Sequence, residues 1–187
     1  MKNKGPLSGI KVIDLTAMVS GPVCTMMLGD QGADVIKIEP LSGELMRSVG
    51  APNNGMTTSF LCSNRSKRSL TLNLKDKKGI DILKQLLVSA DVIVQNFRPG
   101  TMKRMRLDYE EVIKINKNII YTSISGFGEK GPYSKQRVYD PVIQALSGLA
   151  DIQKDQEDSM STYYRVVVEE VSVKTDEVQS RNIIKEK

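Results

Sequence analysis

The residues with the most chemical potential in this chain are basic ones beside turns. Lys75 and Arg104 flank two loops that follow adjacent predicted strands. Strand ends that run into glycine-bearing turns leave backbone N–H groups free to face phosphates. An arginine fork adds two parallel hydrogen bonds to such an anion. The charge distribution points the same way. Residues 1–150 carry 21 Lys+Arg against 13 Asp+Glu, while residues 151–187 carry 6 against 9. A basic body attracts an anionic ligand such as a nucleotide, although ordinary surface lysines give the same count.

Other chemistry is excluded. The 187 residues contain no histidine, which removes the commonest general acid/base and metal ligand. A Ser-His-Asp or Cys-His mechanism cannot operate within the chain. Cys24 and Cys62 are too few and too isolated for a disulfide framework or a zinc site. They read as reduced thiols near the core of a cytoplasmic protein, and no metal site is expected. No apolar run approaches the ~20 residues of a membrane span.

The elements that must position the basic residues alternate. Lys11-Val12-Ile13-Asp14-Leu15 reads as a buried strand. Thr16 or Ser20 can cap the helix that follows, with Pro22 in its first turn. Asp34 to Glu39 is the next strand, completing a β-α-β unit of a parallel sheet. Pro40 to Ser59 reads as loop. Ser69 to Leu74 alternates as a half-exposed strand. Asp76 caps a helix with Ile80, Leu83, Leu86, Leu87 and Ala90 on one face. Asp91 to Gln95 is a strand, Tyr109 to Ile115 a short helix, and Ile119 to Ile124 a strand. Asp140-Pro141 looks like a cap plus first-turn proline. The sum is a three-layer α/β domain: a Rossmann-like, mainly parallel sheet with helices on both faces. Val12, Ile13, Val35, Ile36, Ile93 and Val94 are its expected strand core.

The last segment differs in kind. All 14 glycines lie at or before Gly148 and all 7 prolines at or before Pro141. The expected division is a Rossmann-like domain over 1–153 and a divergent, poorly ordered tail over 154–187. Within the tail, Tyr163 to Val173 is strand-like and can add to a sheet edge.

Five stretches in order carry a family resemblance. They are Leu7-Ser8-Gly9-Ile10-Lys11-Val12-Ile13-Asp14-Leu15-Thr16 with Gly21-Pro22; Gly32 to Pro40; Asn64-Arg65-Ser66-Lys67-Arg68-Ser69; Ala90 to Gly100; and Ser125-Gly126-Phe127-Gly128 with Gly131-Pro132. Together they resemble the N-terminal part of family III (CaiB/BaiF-type, formyl-CoA transferase-like) coenzyme A transferases. The resemblance implies that coenzyme A or acyl-CoA binds as a substrate, with no permanently bound cofactor. It implies CoA contacts at Met18, Val19, Leu72, Lys75, Asn96, Phe97, Arg98, Arg104 and Arg137. Leu72 and Phe97 are equally readable as core, Arg104 and Arg137 as salt-bridged surface groups, and Arg65, Lys67 and Arg68 as a solvated run or an interdomain contact. Pro40 stands where some formyl-CoA transferases have an arginine contact. Family subunits form interlocked homodimers; the implied partners are acyl-CoA and carboxylic acid substrates, not nucleic acid or membrane.

The resemblance also implies a mechanism. A nucleophilic aspartate attacks the acyl-CoA thioester, passes through a mixed anhydride and carries CoA to an acceptor acid. That aspartate is expected about thirty residues after Asp140, opening a long helix. The window Arg165 to Ser172 has nothing similar, and Glu169 lacks the surrounding pattern. Racemases of the same fold use a histidine-aspartate pair where this chain has Tyr139-Asp140, and a tyrosine of pKa near ~10 is a poor base at neutral pH. Asp140 is expected to serve its helix rather than act as nucleophile. The chain is therefore expected to be an altered or truncated transferase copy, inactive alone. The alternatives are one half of a split transferase or a stand-alone CoA-binding or regulatory module.

Overall fold

Short continuous apolar runs, whose successive side chains point to opposite faces, build the centre of the molecule. In a computed structural model, which describes residues 5–136, 139–152 and 170–175, the elements run β1 (Lys11–Asp14), α1 (Ser20–Asp30), β2 (Asp34–Glu39), a single 3-10 turn (Leu45–Arg47), α2 (Thr58–Asn64), β3 (Lys67–Thr71), α3 (Lys77–Leu87), β4 (Val92–Gln95), α4 (Thr101–Arg104), α5 (Tyr109–Ile115), β5 (Ile120–Ser125), α6 (Asp140–Leu146), α7 (Leu149–Ile152) and β6 (Glu170–Lys174). The sheet order is β3-β2-β1-β4-β5-β6. The first five strands pair in parallel, and β6 adds antiparallel to β5.

Each central strand feeds both faces of the sheet. Val12, Val35, Val94 and Ile124 form one cluster, against which Leu28 of α1 packs. Ile13, Ile38, Ile93 and Tyr121 form the other, with Leu83 and Leu87 of α3 and Val112 of α5. The helices therefore cover both faces, as a parallel sheet requires. Of the six expected core residues only Ile36, beside the edge strand β3, is half-buried. Asp76 caps α3 as expected, its Oδ1 accepting from the Lys78 N–H at 2.9 Å. At the other end Asn116 Nδ2 donates to the carbonyls of Leu87 and Ala90, satisfying groups that the end of α3 leaves without helical partners.

Local expectations fail where distant residues intervene. Neither Thr16 nor Ser20 caps α1, whose N-cap is Val19 with no side-chain bond. Thr16 instead turns its hydroxyl to Asp14. The segment expected to be loop holds the 3-10 turn and the start of α2, because Glu44 and Thr57 accept from the Met46 and Phe60 N–H groups and nucleate both. Strand β3 sits two residues before the expected start and ends at Thr71, set by its pairing of Lys67 with Val35 through Thr71 with Glu39. Asp140 lies inside the first turn of α6 rather than at its cap, and its Oδ2 accepts from Gln144 Nε2 at 2.6 Å. Strand β6 lies at the sheet edge; Tyr163 to Glu169 fall outside the described residues.

Candidate functional site

In this strand order the sheet reverses direction of growth at β1. One neighbour, β2, follows through α1 on one face, while β4 on the other side is reached through α3 on the opposite face. The loops after β1 and β4 therefore leave toward opposite faces of the sheet, and the crevice that such a reversal forms at the carboxyl edge is the usual ligand position in open α/β sheets.

The two loops are stapled together. Asn96 Oδ1 accepts from the Ala17 N–H at 2.9 Å, and its Nδ2 donates to the Ala17 carbonyl at 2.8 Å. Two further side chains take the adjoining amides. The Thr16 N–H donates to Asp14 Oδ1 at 2.8 Å, and the Met18 N–H donates to Glu44 Oε1 at 2.9 Å. This corrects the expectation of free N–H groups at the first strand end. Three consecutive amides are already satisfied by carboxylates and an amide, so a phosphate here must be met mainly by side chains. Gly21 permits the tight return of the chain, since a Cβ there would stand 2.3 Å from Cβ of Thr16.

Beneath the first loop lies a buried group of two acids and two lysines. Lys67 Nζ is 3.0 Å from Asp14 Oδ2 and also donates to the Pro22 carbonyl and Asn64 Oδ1, both at 2.8 Å. Lys37 Nζ donates to the Thr16 carbonyl at 2.8 Å and stands 3.9 Å from both Asp14 and Glu44. All four side chains are at most 2 % exposed. Two positive and two negative charges cancel, which is what lets them sit out of water. Burial lowers the Lys67 pKa, and neighbouring Asp14 works against that shift. Lys67 thus leaves the run it shares with Arg65 and Arg68, which pair at the surface with Asp30 and Asp34. Alongside, Glu39 is held at about 2: burial pushes its carboxyl up, but hydrogen bonds from Arg47, Ser69 and the Glu44 N–H outweigh it.

The predicted contact residues are distributed along this edge rather than gathered in one cavity. Met18 and Val19 form the loop after β1, and Met18 is left-handed with φ +70°. Asn96, Phe97 and Arg98 form the loop after β4. Leu72 is buried in the core behind β3, and Lys75 is exposed just beyond it. The strands that carry Lys75 and Arg104 are not adjacent, since β2 and β1 lie between β3 and β4. At about 4.8 Å per strand their loops stand roughly 14 Å apart. Arg104, on α4, donates to Thr101 Oγ1 at 2.9 Å. Among the described residues Lys75, Arg98 and Arg104 have no carboxylate partner. Arg137 and Glu169 lie outside the described residues.

Beside the crevice, a cavity of about 240 Å³ opens between α4, α5 and the ends of β4 and β5. Phe97 and Arg98 line it together with Asp108, Tyr109, Glu129 and Lys174. Lys174 Nζ closes its outer side, 2.9 Å from Glu129 Oε2 and 5.9 Å from the Tyr109 ring. Sequence reasoning missed this wall and the role of Glu44. The only local signal for Glu44 was an isolated acid in a glycine- and serine-rich stretch. Cys24 is half-buried and Cys62 exposed, both free. Among the described residues no cluster of three or more potential ligands can hold a metal, and no helix is long and apolar enough to cross a membrane.

Comparison with known proteins gives a consistent result. The family CoA-transferase family III matches residues 7–168. Human succinyl-CoA:glutarate CoA-transferase is 46% identical over 154 residues, which is 81% of this chain and 35% of that protein. The acetyl-CoA:oxalate CoA-transferase of Acetobacter aceti is 45% identical over 149 residues, 79% of this chain and 38% of that one. A crystal structure of a CaiB/BaiF family protein from Brucella suis superimposes with a TM-score of 0.82 at 36% identity, covering 88% of this chain and 44% of that one. The chain thus spans little more than a third of the length of the curated relatives it matches.

Proposed function

Because the chain belongs to CoA-transferase family III, we propose that its carboxyl-edge crevice binds the nucleotide half of coenzyme A and that the chain alone does not transfer it. One observation carries this: Lys75 on one side of the β1/β4 reversal, and Arg98 and Arg104 on the other, stand without carboxylate partners among the described residues. A separation of roughly 14 Å across three strand spacings suits an extended ligand with several phosphates. Phe97, half-buried beside them, offers an apolar face to the adenine or pantetheine. Met18 and Val19 form the opposite lip.

Transfer in this scheme needs a carboxylate nucleophile. Its oxygen attacks the thioester carbonyl, the C–S bond breaks and CoA leaves as thiolate, giving a mixed anhydride. The thiolate then attacks the enzyme's own acyl carbon, releasing the donor acid and leaving an enzyme-CoA thioester. The acceptor carboxylate repeats the exchange and regenerates the nucleophile. In this chain the corresponding window offers no aspartate, and Glu170–Lys174 forms a strand rather than the start of a helix. Calorimetric titration with CoA, beside a transfer assay using several acyl-CoA donors and carboxylate acceptors, tests both halves. Binding without turnover is expected. Turnover by this chain alone, abolished by Glu169→Gln, overturns the proposal of inactivity.

A second reading, a transferase half completed by another chain, is favoured by the exposed apolar side chains Leu41, Leu45 and Leu61 between β2 and the end of α2, since such residues mark interaction surfaces. Turnover that appears only on adding a C-terminal half of the family supports it.

A further inference from the structure

Met18 holds a backbone conformation that a side chain disfavours, at φ +70°. For a non-glycine residue this conformation is strained and persists only where the surroundings over-determine it. Two distant side chains reach this turn: Asn96 holds both backbone groups of Ala17, and Glu44 holds the Met18 amide. Glu44 Oε1 accepts from the N–H groups of both Met18 and Met46, at 2.9 and 3.1 Å. The residue is itself fixed, because its own N–H donates to Glu39 Oε2 at 2.9 Å and Lys37 Nζ stands 3.9 Å from its Oε2. That Oε2 is buried with no hydrogen bond among the described residues.

We propose that Glu44 is a positioning residue: it locks Met18 in the left-handed conformation and so sets the Met18–Val19 lip of the crevice in its ligand-binding shape. The proposal rests on the CoA-binding reading above, and names a residue outside the crevice on which that binding depends. Glu44 acts through an acceptor atom rather than through its charge. A neutral acceptor of the same shape therefore does the same work, while an apolar side chain of similar volume does not. The charge serves Lys37 and overall stability.

The test compares Glu44→Gln, which keeps an acceptor oxygen, with Glu44→Met, which keeps volume and removes it. Two readouts are taken: amide hydrogen exchange at Met18 by NMR, and the Kd for CoA by calorimetry. Val112→Ala, which loosens the core around α5, controls for stability loss alone. Glu44→Met is expected to raise Met18 exchange and weaken CoA binding about tenfold, with Glu44→Gln staying within about threefold of the unmodified chain. If Glu44→Met unfolds because Lys37 loses a partner, Glu44→Met/Lys37→Met compared with Lys37→Met alone carries the same contrast. Equal Kd values for the Gln and Met variants overturn the positioning role even if both are less stable. Unchanged Met18 exchange in Glu44→Met overturns it at the level of the loop. An unmodified chain that does not bind CoA overturns the binding reading and the positioning role with it.

Discussion

Replacing Lys67 with methionine removes one charge from the buried group and little else. The methylene stem is kept in volume, so the loss is electrostatic and hydrogen-bonding. Lys67 Nζ makes an ion pair at 3.0 Å to Asp14 and bonds at 2.8 Å to Pro22 and Asn64, with its side chain 2 % exposed. Removing one partner of a buried pair costs about 3–5 kcal/mol. Asp14 keeps its bonds from the Thr16 N–H, the Thr16 hydroxyl and the Thr25 hydroxyl, and Lys37 remains 3.9 Å away. The lower end, about 3 kcal/mol, is therefore expected. With a urea slope of about 2 kcal/mol/M, the unfolding midpoint falls by about 1.5 M. The assay is urea unfolding at pH 7 followed by far-UV circular dichroism. Adding Asp14→Asn removes the charge left uncompensated, so the double variant is expected to be about 1–2 kcal/mol more stable than the sum of the single losses. A midpoint shift under about 0.5 M for Lys67→Met, or strict additivity of the pair, refutes the view of a charge-balanced buried group.

The Glu39 carboxyl, held at about 2 against an ordinary 4.5, contributes stability that is present above about pH 5 and is lost as pH falls toward 2. That contribution is about 2–3 kcal/mol, discounted for the partly exposed Arg47, and acid titration of Glu39→Gln should show a flatter decline between those limits. Gly79→Ala should gain about 1 kcal/mol of helix propensity but lose more, since its Cβ would stand 2.1 Å from the Asn73 carbonyl oxygen; a net loss of about 1–3 kcal/mol in urea unfolding is expected. Arg104→Ala should weaken CoA binding about tenfold, about 1.4 kcal/mol, and reduce its salt dependence, read by calorimetry at two ionic strengths.

The local pattern of this chain was enough to place most of its elements. Short apolar runs such as Val12-Ile13 and Ile93-Val94, helical spacing from Ile80 to Leu87, and the Asp76 cap depend on residues a few positions apart, and the sequence displays them directly. The α/β class and the CoA-transferase resemblance follow from those runs and the glycine-bearing turns between them. Tertiary structure alone decided the order β3-β2-β1-β4, and hence that Lys75 and Arg104 follow strands separated by β2 and β1 instead of adjacent ones. It alone decided that the amides of Ala17 and Met18 are occupied, because Asn96 lies 79 residues from Ala17 and Glu44 lies 26 from Met18. The same holds for Lys67, which sits in a basic run between Arg65 and Arg68 yet is buried against Asp14, 53 residues earlier. A charge declares its type in the sequence, but its partner, and therefore whether it faces water or the interior, is fixed only when distant strand ends are brought to one edge of the sheet.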